Sequence, residues 1–530
     1  MLFVNQRKGR RLVSAAMAAT LLTTSCGARV APLLPTVSNG PSAAGGTSGG
    51  SSGPVASGSS GGGVTSGSSG GATSGTGGAT TNTGGSSSAA RGSHGSGTAA
   101  GSGSSGASGR TSGGGGTAAQ AQALSPSTYS YNPQTQASYC TGTSGNTASA
   151  PGVTATSITA GNVSGITGAV SDSFTPGSQA VQAVFDSINR FGGICGRQLK
   201  LQVDDDQQNS SNDASDVQSL IPNVLAFVGD LSDADNGGVS AMEAAKAPDL
   251  GPAINVNRSN APVYWSATGG SVTVKNGHAY LNNTWMKGLQ QYGQMPKSIA
   301  VLSYSIPISA QAGEEYATVF KQLGVSLCYT NYSIPPAPGT VMGSVVASMQ
   351  QKNCGGVFTT MDAVGNADML QDMQSDGYKP SLISTTYEGY TPQQISLAGS
   401  SAAQNLDIGL SSVPLTAPVP GVEEYSQEMQ TYEPGQPLTE FGLEAWADAE
   451  LYVYALLKAG RNPTRASLTA ALAGVSNWGS DGAFGAYTPS NRTGPPCITN
   501  VAWQGSAWKE TWPSSGLYCS GTLVDVGPAS

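Results

Sequence analysis

Histidine and clustered basic residues are both scarce in this 530-residue sequence. It has two histidines, His94 and His278, and its 23 Lys and Arg residues form no cluster beyond the first dozen positions. Histidine is the commonest general acid–base side chain, and nucleic-acid binding rests on basic clusters that neutralise phosphate. From residue 139 onward there is also no Gly-x-Ser-x-Gly and no Gly-x-x-x-x-Gly-Lys-Ser/Thr motif. With a net charge of −8, we expect neither an enzyme nor a nucleic-acid-binding protein.

The cysteines lack the spacing of a metal site. There is no Cys-x-x-Cys and no Cys/His cluster, so metal ligation is the weaker interpretation, and we expect neither a metal nor a cofactor. If Cys26 carries lipid, six of the seven cysteines remain, and an even number in an exported protein suggests disulfides. These six fall as three sequential pairs in separate regions of the chain. We predict the disulfides Cys140–Cys195, Cys328–Cys354 and Cys497–Cys519.

The N-terminus has the pattern of an export signal. A basic segment, residues 7–11, precedes an apolar stretch, residues 12–22, which is shorter than the roughly 20 residues needed to span a bilayer. Residues 22–26, Leu-Thr-Thr-Ser-Cys, resemble a lipobox, in which the cysteine becomes the lipidated N-terminus. We therefore expect a signal peptide over residues 1–25 and lipidation of Cys26. The alternative is an ordinary signal peptide cut nearby, which would leave Cys26 as a free thiol.

Glycine is concentrated in one low-complexity stretch. Residues 38–118 consist almost wholly of Gly, Ser, Thr and Ala. Such a segment cannot bury enough apolar surface to offset the entropy lost on ordering. We expect residues 26–138 to form a disordered tether without a binding role of its own, which would let a folded domain clear the membrane surface or cell wall.

Beyond the tether, strand and helix patterns alternate along the chain. Apolar runs predict strands at residues 157–164, 197–203, 224–229, 297–303, 325–329, 355–360 and 381–384. Helical spacing of apolar residues predicts helices at 177–191, 312–323, 342–351, 367–377 and 442–459. A further helix follows the strand at 197–203 and ends at about residue 220. This order predicts an α/β fold of parallel sheets covered by helices. The same alternation of strands and helices recurs in the second half of the folded region, which predicts two lobes with a cleft between them.

Several short motifs follow one another in a characteristic order. Residues 152–161 form an opening strand, residues 186–197 read Asp-Ser-Ile-Asn-Arg-Phe-Gly-Gly-Ile-Cys-Gly-Arg, and Gly-Pro-Ala at 251–253 and Gly-Ala-Phe-Gly at 482–485 follow. Their order resembles that of the leucine/isoleucine/valine-binding proteins, type I periplasmic binding proteins of ABC importers. The resemblance covers about residues 139–510. It implies two Rossmann-like lobes with parallel-sheet cores, joined by a three-stranded hinge and closing around a ligand.

The resemblance also implies where the lobes begin and end. Lobe one would comprise residues 139–280 and 409–487, and lobe two residues 281–408 and 488–530. The first predicted disulfide would then lie in lobe one and the other two in lobe two.

The resemblance implies a ligand site in which Glu388 binds an amino group. Residues 386–389, Thr-Tyr-Glu-Gly, match the family segment whose glutamate pairs with a ligand ammonium. A hydrogen bond between a carboxylate and an ammonium is stronger than one between neutral groups, which suits this role. The alternative is that Glu388 is a solvated loop residue.

Other candidate ligand contacts follow from the same resemblance. The loop 229–235 matches the one that presents hydroxyls to a ligand carboxylate, but here it contains Asp233 and Asp235, which would repel an anion. Ala253 and Asn255 match positions that offer donors to that carboxylate. Weaker candidates, for which a water-facing loop or strand end is the alternative, are Phe174, Tyr304, Thr360 and Asp362.

Together these features imply an extracytoplasmic solute-binding receptor. It would capture an amino acid or a related polar solute, such as an amide or urea, and present it to the permease of an ABC importer. We expect a monomer, lipid-anchored at the outer face of the bacterial cell membrane or in the periplasm. Two alternatives stay open, a ligand sensor that signals to a membrane partner and a tethered surface or adhesion protein.

Overall fold

The computed structural model describes residues 124–141, 145–270, 272–493 and 497–529. The predicted signal peptide, Cys26 and most of the predicted tether lie outside these residues. Within these ranges no helix combines the length and apolar character needed to cross a membrane.

Strands and helices alternate through most of the described chain. The strands are β1 (Ser157–Ser164), β2 (Gln198–Asp205), β3 (Phe227–Val228), β4 (Asp249–Leu250), β5 (Tyr264–Trp265), β6 (Val272–Lys275), β7 (His278–Asn282), β8 (Ser298–Tyr304), β9 (Ser326–Ile334), β10 (Gly356–Thr359), β11 (Leu382–Thr385), β12 (Leu406–Leu410), β13 (Thr499–Gln504), β14 (Ala507–Trp512) and β15 (Leu523–Pro528). The α-helices are α1 (Pro133–Gln136), α2 (Ser171–Phe174), α3 (Pro176–Asn189), α4 (Ser210–Leu220), α5 (Val239–Ala245), α6 (Val256–Ser259), α7 (Thr284–Gln291), α8 (Pro307–Gln322), α9 (Val341–Gln351), α10 (Ala363–Ser375), α11 (Pro392–Ala398), α12 (Pro420–Tyr432), α13 (Glu440–Ala459) and α14 (Arg465–Ala473).

Two separate sheets organise these elements. A five-stranded parallel sheet has the order β2-β1-β3-β4-β5, and we call the part built on it lobe one. A seven-stranded sheet has the order β14-β13-β12-β11-β10-β8-β9 and forms lobe two; it is parallel from β12 to β9, and β13 and β14 run antiparallel at one edge. This arrangement confirms the predicted α/β fold with two parallel-sheet cores. A three-stranded antiparallel sheet, β15-β7-β6, completes the fold.

Helix α13 forms the centre of the lobe-one core. Thr439 caps its start, accepting a hydrogen bond from the Gly442 N–H at 3.0 Å. Residues Glu440 to Leu457 are all buried, and the helix packs against α3. Its first half carries Glu440, Glu444 and Asp448 four residues apart, so these three carboxyls share one face of the helix. The sequence pattern predicts an amphipathic helix here, but α13 is buried all round.

The lobe-one core begins before the predicted start of the folded region at residue 139. Tyr129 is buried, with its ring 5.3 Å from that of Tyr454 and 5.7 Å from that of Trp478. Burying a tyrosine ring contributes apolar area that the preceding Gly/Ser-rich sequence does not offer. The segment from residue 124 therefore belongs to the packed domain rather than to the tether.

The six cysteines of the described chain form the three disulfides that the sequence predicts. The structure contains the disulfides Cys140–Cys195, Cys328–Cys354 and Cys497–Cys519. The first joins the segment before β1 to the turn between α3 and β2. The second joins β9 to the turn before β10.

Candidate ligand-binding cleft

A cleft lies where the parallel strands of the two lobes end. Lobe one contributes residues that follow β1, β3 and β4, and lobe two contributes residues at or after the ends of β8, β10 and β11. These strands are neighbours within each sheet. Ligands of open α/β sheets bind outside the carboxyl ends of the strands, so the topology marks this cleft as the candidate site.

Six of the nine predicted ligand contacts line the cleft. They are Phe174, Asp233, Tyr304, Thr360, Asp362 and Glu388. The other three, Ala253, Asp235 and Asn255, are not among its described lining residues, although Ile254 between two of them is. The structure thus brings most of the predicted set together, and the role of each in binding stays a prediction.

Glu388 presents a partly buried carboxyl to the cleft. It lies on a short 3-10 turn, Tyr387–Gly389, directly after β11. Gly389 allows the turn to pack closely, since a Cβ there would come within 2.4 Å of Thr385 Cγ2. None of the described residues makes a hydrogen bond with the Glu388 carboxyl. Burial raises the pKa of Glu388 to about 8, with smaller contributions from the negative charges of Asp362 and Asp233.

Asp362 also belongs to lobe two, and its Oδ1 accepts three hydrogen bonds. It caps α10, accepting from the Val364 N–H at 3.0 Å and the Gly365 N–H at 3.2 Å, and it accepts a short bond from the Tyr304 hydroxyl. Gly365 leaves room for this contact, because a Cβ there would come within 2.4 Å of the Tyr304 oxygen. Burial nonetheless raises the pKa of Asp362.

Asp233 is the carboxyl that lobe one contributes to the cleft. Its Oδ1 is buried and has no hydrogen-bond partner among the described residues. Burial, and then the charges of Asp206 and Asp235, raises its pKa to about 7. An unpaired buried carboxyl of this kind disfavours a second negative charge nearby, so a ligand carboxylate would be repelled here.

Asp235 and Asn255 bind to each other instead of facing the cleft. The Asn255 side chain donates to Asp235 Oδ1 at 2.7 Å, and the backbone N–H groups of Ile254 and Asn255 donate to the same carboxyl at 2.8 and 3.0 Å. Arg258 adds an ion pair with Asp235 at 3.2 Å. This network leaves Asp235 saturated inside lobe one, where it fixes the loop that carries Ile254 into the cleft.

Sequence reasoning missed part of the cleft wall that α8 supplies. Ser309, Gln311, Glu315 and Tyr316 all line the cleft. Glu315 is buried and accepts a hydrogen bond from the Gln311 amide at 2.9 Å, across one helical turn. The pattern predicts a helix only from residue 312, whereas α8 begins at Pro307, a residue suited to the first turn of a helix. Proline at that position is the sequence signal that would have extended the predicted helix to include the first of these cleft residues.

The remaining walls of the cleft are apolar and aromatic. They include Val170, Ile254, Val256, Val272, Leu281, Ile306, Ile308 and Tyr387. No described residue that lines the cleft is Lys, Arg or His. Four carboxyls, those of Asp233, Glu315, Asp362 and Glu388, therefore face the space without a basic side chain among its described walls. Over the described ranges no group of three or more His, Cys, Asp or Glu side chains has the arrangement of a metal site.

Comparisons with known proteins agree with this architecture. The model of the periplasmic binding protein family matches residues 157–506, and the chain belongs to that family. No curated protein matches the sequence. Among solved structures, the chain is similar to a branched-chain amino acid ABC transporter protein of Thermus thermophilus with bound valine, at 17% identity and a TM-score of 0.57, covering 69% of this chain and 97% of that one.

Two further solved structures have the same fold. One is a fatty acid ABC transporter substrate-binding protein from Thermomonospora curvata, at 19% identity and a TM-score of 0.56, covering 72% of this chain and 94% of that one. The other is a branched-chain amino acid transporter substrate-binding protein from Streptococcus pneumoniae in complex with isoleucine, at 13% identity and a TM-score of 0.56, covering 67% of this chain and all of that one. At these identities the likeness shows the type I fold.

Family membership confirms two predictions from the motif order. The chain is a periplasmic binding protein with the type I fold, and it belongs to a class of binding proteins rather than of enzymes.

Proposed function

We propose that the chain is the extracytoplasmic receptor of an ABC importer and that it captures a small solute bearing an amino group, an amino acid or a related amine or amide. The observation that carries the proposal is Glu388. Its carboxyl faces the interlobe cleft without a hydrogen-bond partner among the described residues. A ligand ammonium would supply the missing partner through a charge-assisted hydrogen bond.

The charge of the cleft supports an amino group over a carboxylate as the recognised feature. The similar structures include a fatty acid ABC transporter substrate-binding protein and others with bound valine or isoleucine. A fatty acid would bring a carboxylate to a cleft that four acidic side chains line and where no described side chain is basic. Binding a cation would instead offset the unfavourable interactions among these carboxyls.

The proposal extends to the position of the receptor in the cell. Lipidation of Cys26 and the Gly/Ser-rich segment after it would hold the domain near the outer face of the cell membrane, within reach of a permease. The two lobes would close on the solute by hinge motion at their crossovers. Radiolabelled palmitate incorporation into wild-type chain, compared with Cys26→Ala, tests the anchor separately from binding.

Isothermal titration of the full chain tests the solute class. The panel comprises L-leucine, L-leucinamide, pentylamine, urea and hexanoate. We expect binding of at least one amine-bearing compound, a loss of at least tenfold in Glu388→Gln, and no change in Glu314→Gln, an exposed glutamate on α8 that does not line the cleft. Tight binding of hexanoate, or an amine affinity that Glu388→Gln leaves unchanged, would contradict the proposal.

A further inference from the structure

A second chamber lies beside the cleft. Leu281, Tyr316, Thr386 and Tyr387 line both spaces. Because the same side chains face both, the two chambers adjoin.

Glu444 is the acidic side chain of the second chamber. It lies on α13, is 4% exposed, and lines the chamber wall. Its Oε1 lies 2.9 Å from the Ser411 hydroxyl, which also lies 2.8 Å from Glu440 Oε1. No described residue pairs with the other oxygen of Glu444. A carboxyl oxygen without a partner, on a side chain that lines a cavity, is a position for a ligand donor.

The contacts of Ser411 bear on the protonation of Glu444. One hydroxyl has one proton, so both contacts of Ser411 are hydrogen bonds only if one of the two carboxyls is protonated. Burial, and then the charge of Glu440, raises the pKa of Glu444 well above its usual range, while the Ser411 bond opposes this and Asp448 adds to it. The raised pKa favours the neutral form of Glu444, whereas a bound cation would favour its ionised form.

Tyr387 lies between the two acidic positions. It lines both chambers, and after burial the charges of Glu444 and Glu388 are the largest contributions to the rise of its pKa. Trp285, Phe358 and Tyr316 provide further aromatic wall in the second chamber. Such walls accommodate a methylene chain and attract cations over the ring faces. Neither chamber has Lys, Arg or His among its described lining residues.

We propose that the two chambers bind one elongated solute with an amino group at each end, an α,ω-diamine or polyamine, whose one ammonium meets Glu388 and whose other meets Glu444. The inference rests on the proposed function, which assigns the first ammonium to Glu388. The apolar and aromatic walls between the two carboxyls would contact the methylene chain.

Titration of the full chain with two matched series tests this. One series is the α,ω-diamines from three to eight carbons, and the other the n-alkylamines of the same lengths. Diamine affinity is expected to peak at one chain length and there to exceed that of the matched monoamine at least tenfold, whereas monoamine affinity rises steadily with length. Diamine affinities that run parallel to the monoamine series without a peak would overturn the inference.

Two variants locate the second ammonium. Glu444→Gln is expected to lower the affinity for the diamine of peak length at least tenfold more than the affinity for the matched monoamine, and thermal unfolding confirms that the variant folds. Glu444→Asp is expected to move the peak toward a longer diamine, because the carboxylate is withdrawn by one methylene. Diamine binding that Glu444→Gln does not weaken would overturn the inference. Glu388-dependent monoamine binding would then leave the proposed function standing, whereas absence of all amine binding would remove both.

Discussion

Arg258 and Asp249 form a bidentate ion pair in the interior of lobe one. Arg258 donates from Nε to Asp249 Oδ2 at 2.9 Å and from Nη2 to Oδ1 at 2.7 Å. Its Nη1 reaches Asp235 Oδ2 at 3.2 Å and the carbonyl oxygens of Asp230 and Pro252 at 3.0 and 3.1 Å. One guanidinium thus joins the loops after β3 and β4, which carry Asp233 and Ile254 into the cleft.

Replacing this guanidinium is expected to destabilise the fold. Arg258→Met would leave two buried carboxyls without their cationic partner, a loss of about 3–5 kcal/mol in the free energy of unfolding. Urea denaturation measures this loss in the free energy of unfolding. Lys200→Ala, an exposed position on β2, is the control and should change stability by less than about 0.5 kcal/mol. An unfolding midpoint for Arg258→Met equal to that of the control would contradict the role assigned to the pair.

The disulfide Cys140–Cys195 is expected to stabilise lobe one through the unfolded chain. It closes a loop with a sequence separation of 55, which corresponds to about 4 kcal/mol in the chain-entropy model. The double variant Cys140→Ala/Cys195→Ala should lose about that much in urea denaturation. Because both cysteines of this bridge are replaced, neither is left as a free thiol that could pair with another cysteine. A loss below about 1 kcal/mol would show that the bridge adds little to the packing around it.

The carboxyls of α13 are expected to make the protein less stable as pH rises. Asp448 is buried and accepts from the Ala267 N–H at 2.6 Å and from the Ser266 hydroxyl. Burial raises its pKa to about 8; those two bonds and Arg258 act in the opposite direction, and Asp249 adds to the rise. A carboxyl whose pKa is higher in the folded than in the unfolded chain stabilises the fold below about pH 4, and this contribution is lost as pH rises toward 8.

Thermal unfolding between pH 4.5 and 8.5 checks this dependence. Stability should fall with pH across that window, and Asp448→Asn should reduce the slope by up to about 1.36 kcal/mol per pH unit. Glu314→Gln, which changes an exposed carboxyl, should leave the slope unchanged. A wild-type stability that rises steadily from pH 5 to 8 would contradict the assignment of neutral buried carboxyls.

Amine binding is expected to release a proton. The free protein holds Glu388 with a pKa of about 8, beside Asp362 and Asp233, whereas a bound ammonium favours the ionised carboxylate. Affinity for an alkylamine should therefore rise from pH 6 to 8 by at most about tenfold per unit and level off above that. Titrations at pH 7 in two buffers of different ionisation enthalpy should give different heats, and Glu388→Gln should abolish the difference. Equal heats for wild-type protein would contradict an ammonium at Glu388.

The sequence predicts the parts of the fold and cleft that depend on local pattern. The strand that becomes β11 is predicted from its apolar run, and the resemblance, not that pattern, indicates Glu388, which the structure places directly after this strand. Helix α13 is also predicted, but not its burial. Its carboxyls bind backbone and hydroxyl groups at 266–267 and 411–412, far away in the sequence. Contacts of this kind follow from tertiary packing, and periodicity alone does not reveal them.

The same limit applies to the residues around Asp235. The resemblance places Asp235 and Asn255 at a ligand, but in the structure Arg258 draws Asp235 into lobe one. Nothing in the spacing of residues 235 and 258 predicts that ion pair. By contrast, Asp233, two residues earlier in the same loop, does reach the cleft.

A crystal structure of the full chain with the amine that binds most tightly tests the central claim most directly. We predict electron density for the solute between the lobes, with its nitrogen within hydrogen-bond distance of the Glu388 carboxylate and with contacts from both Asp233 and Tyr304. A solute bound with its amino group toward solvent, or bound outside the cleft, would contradict the account.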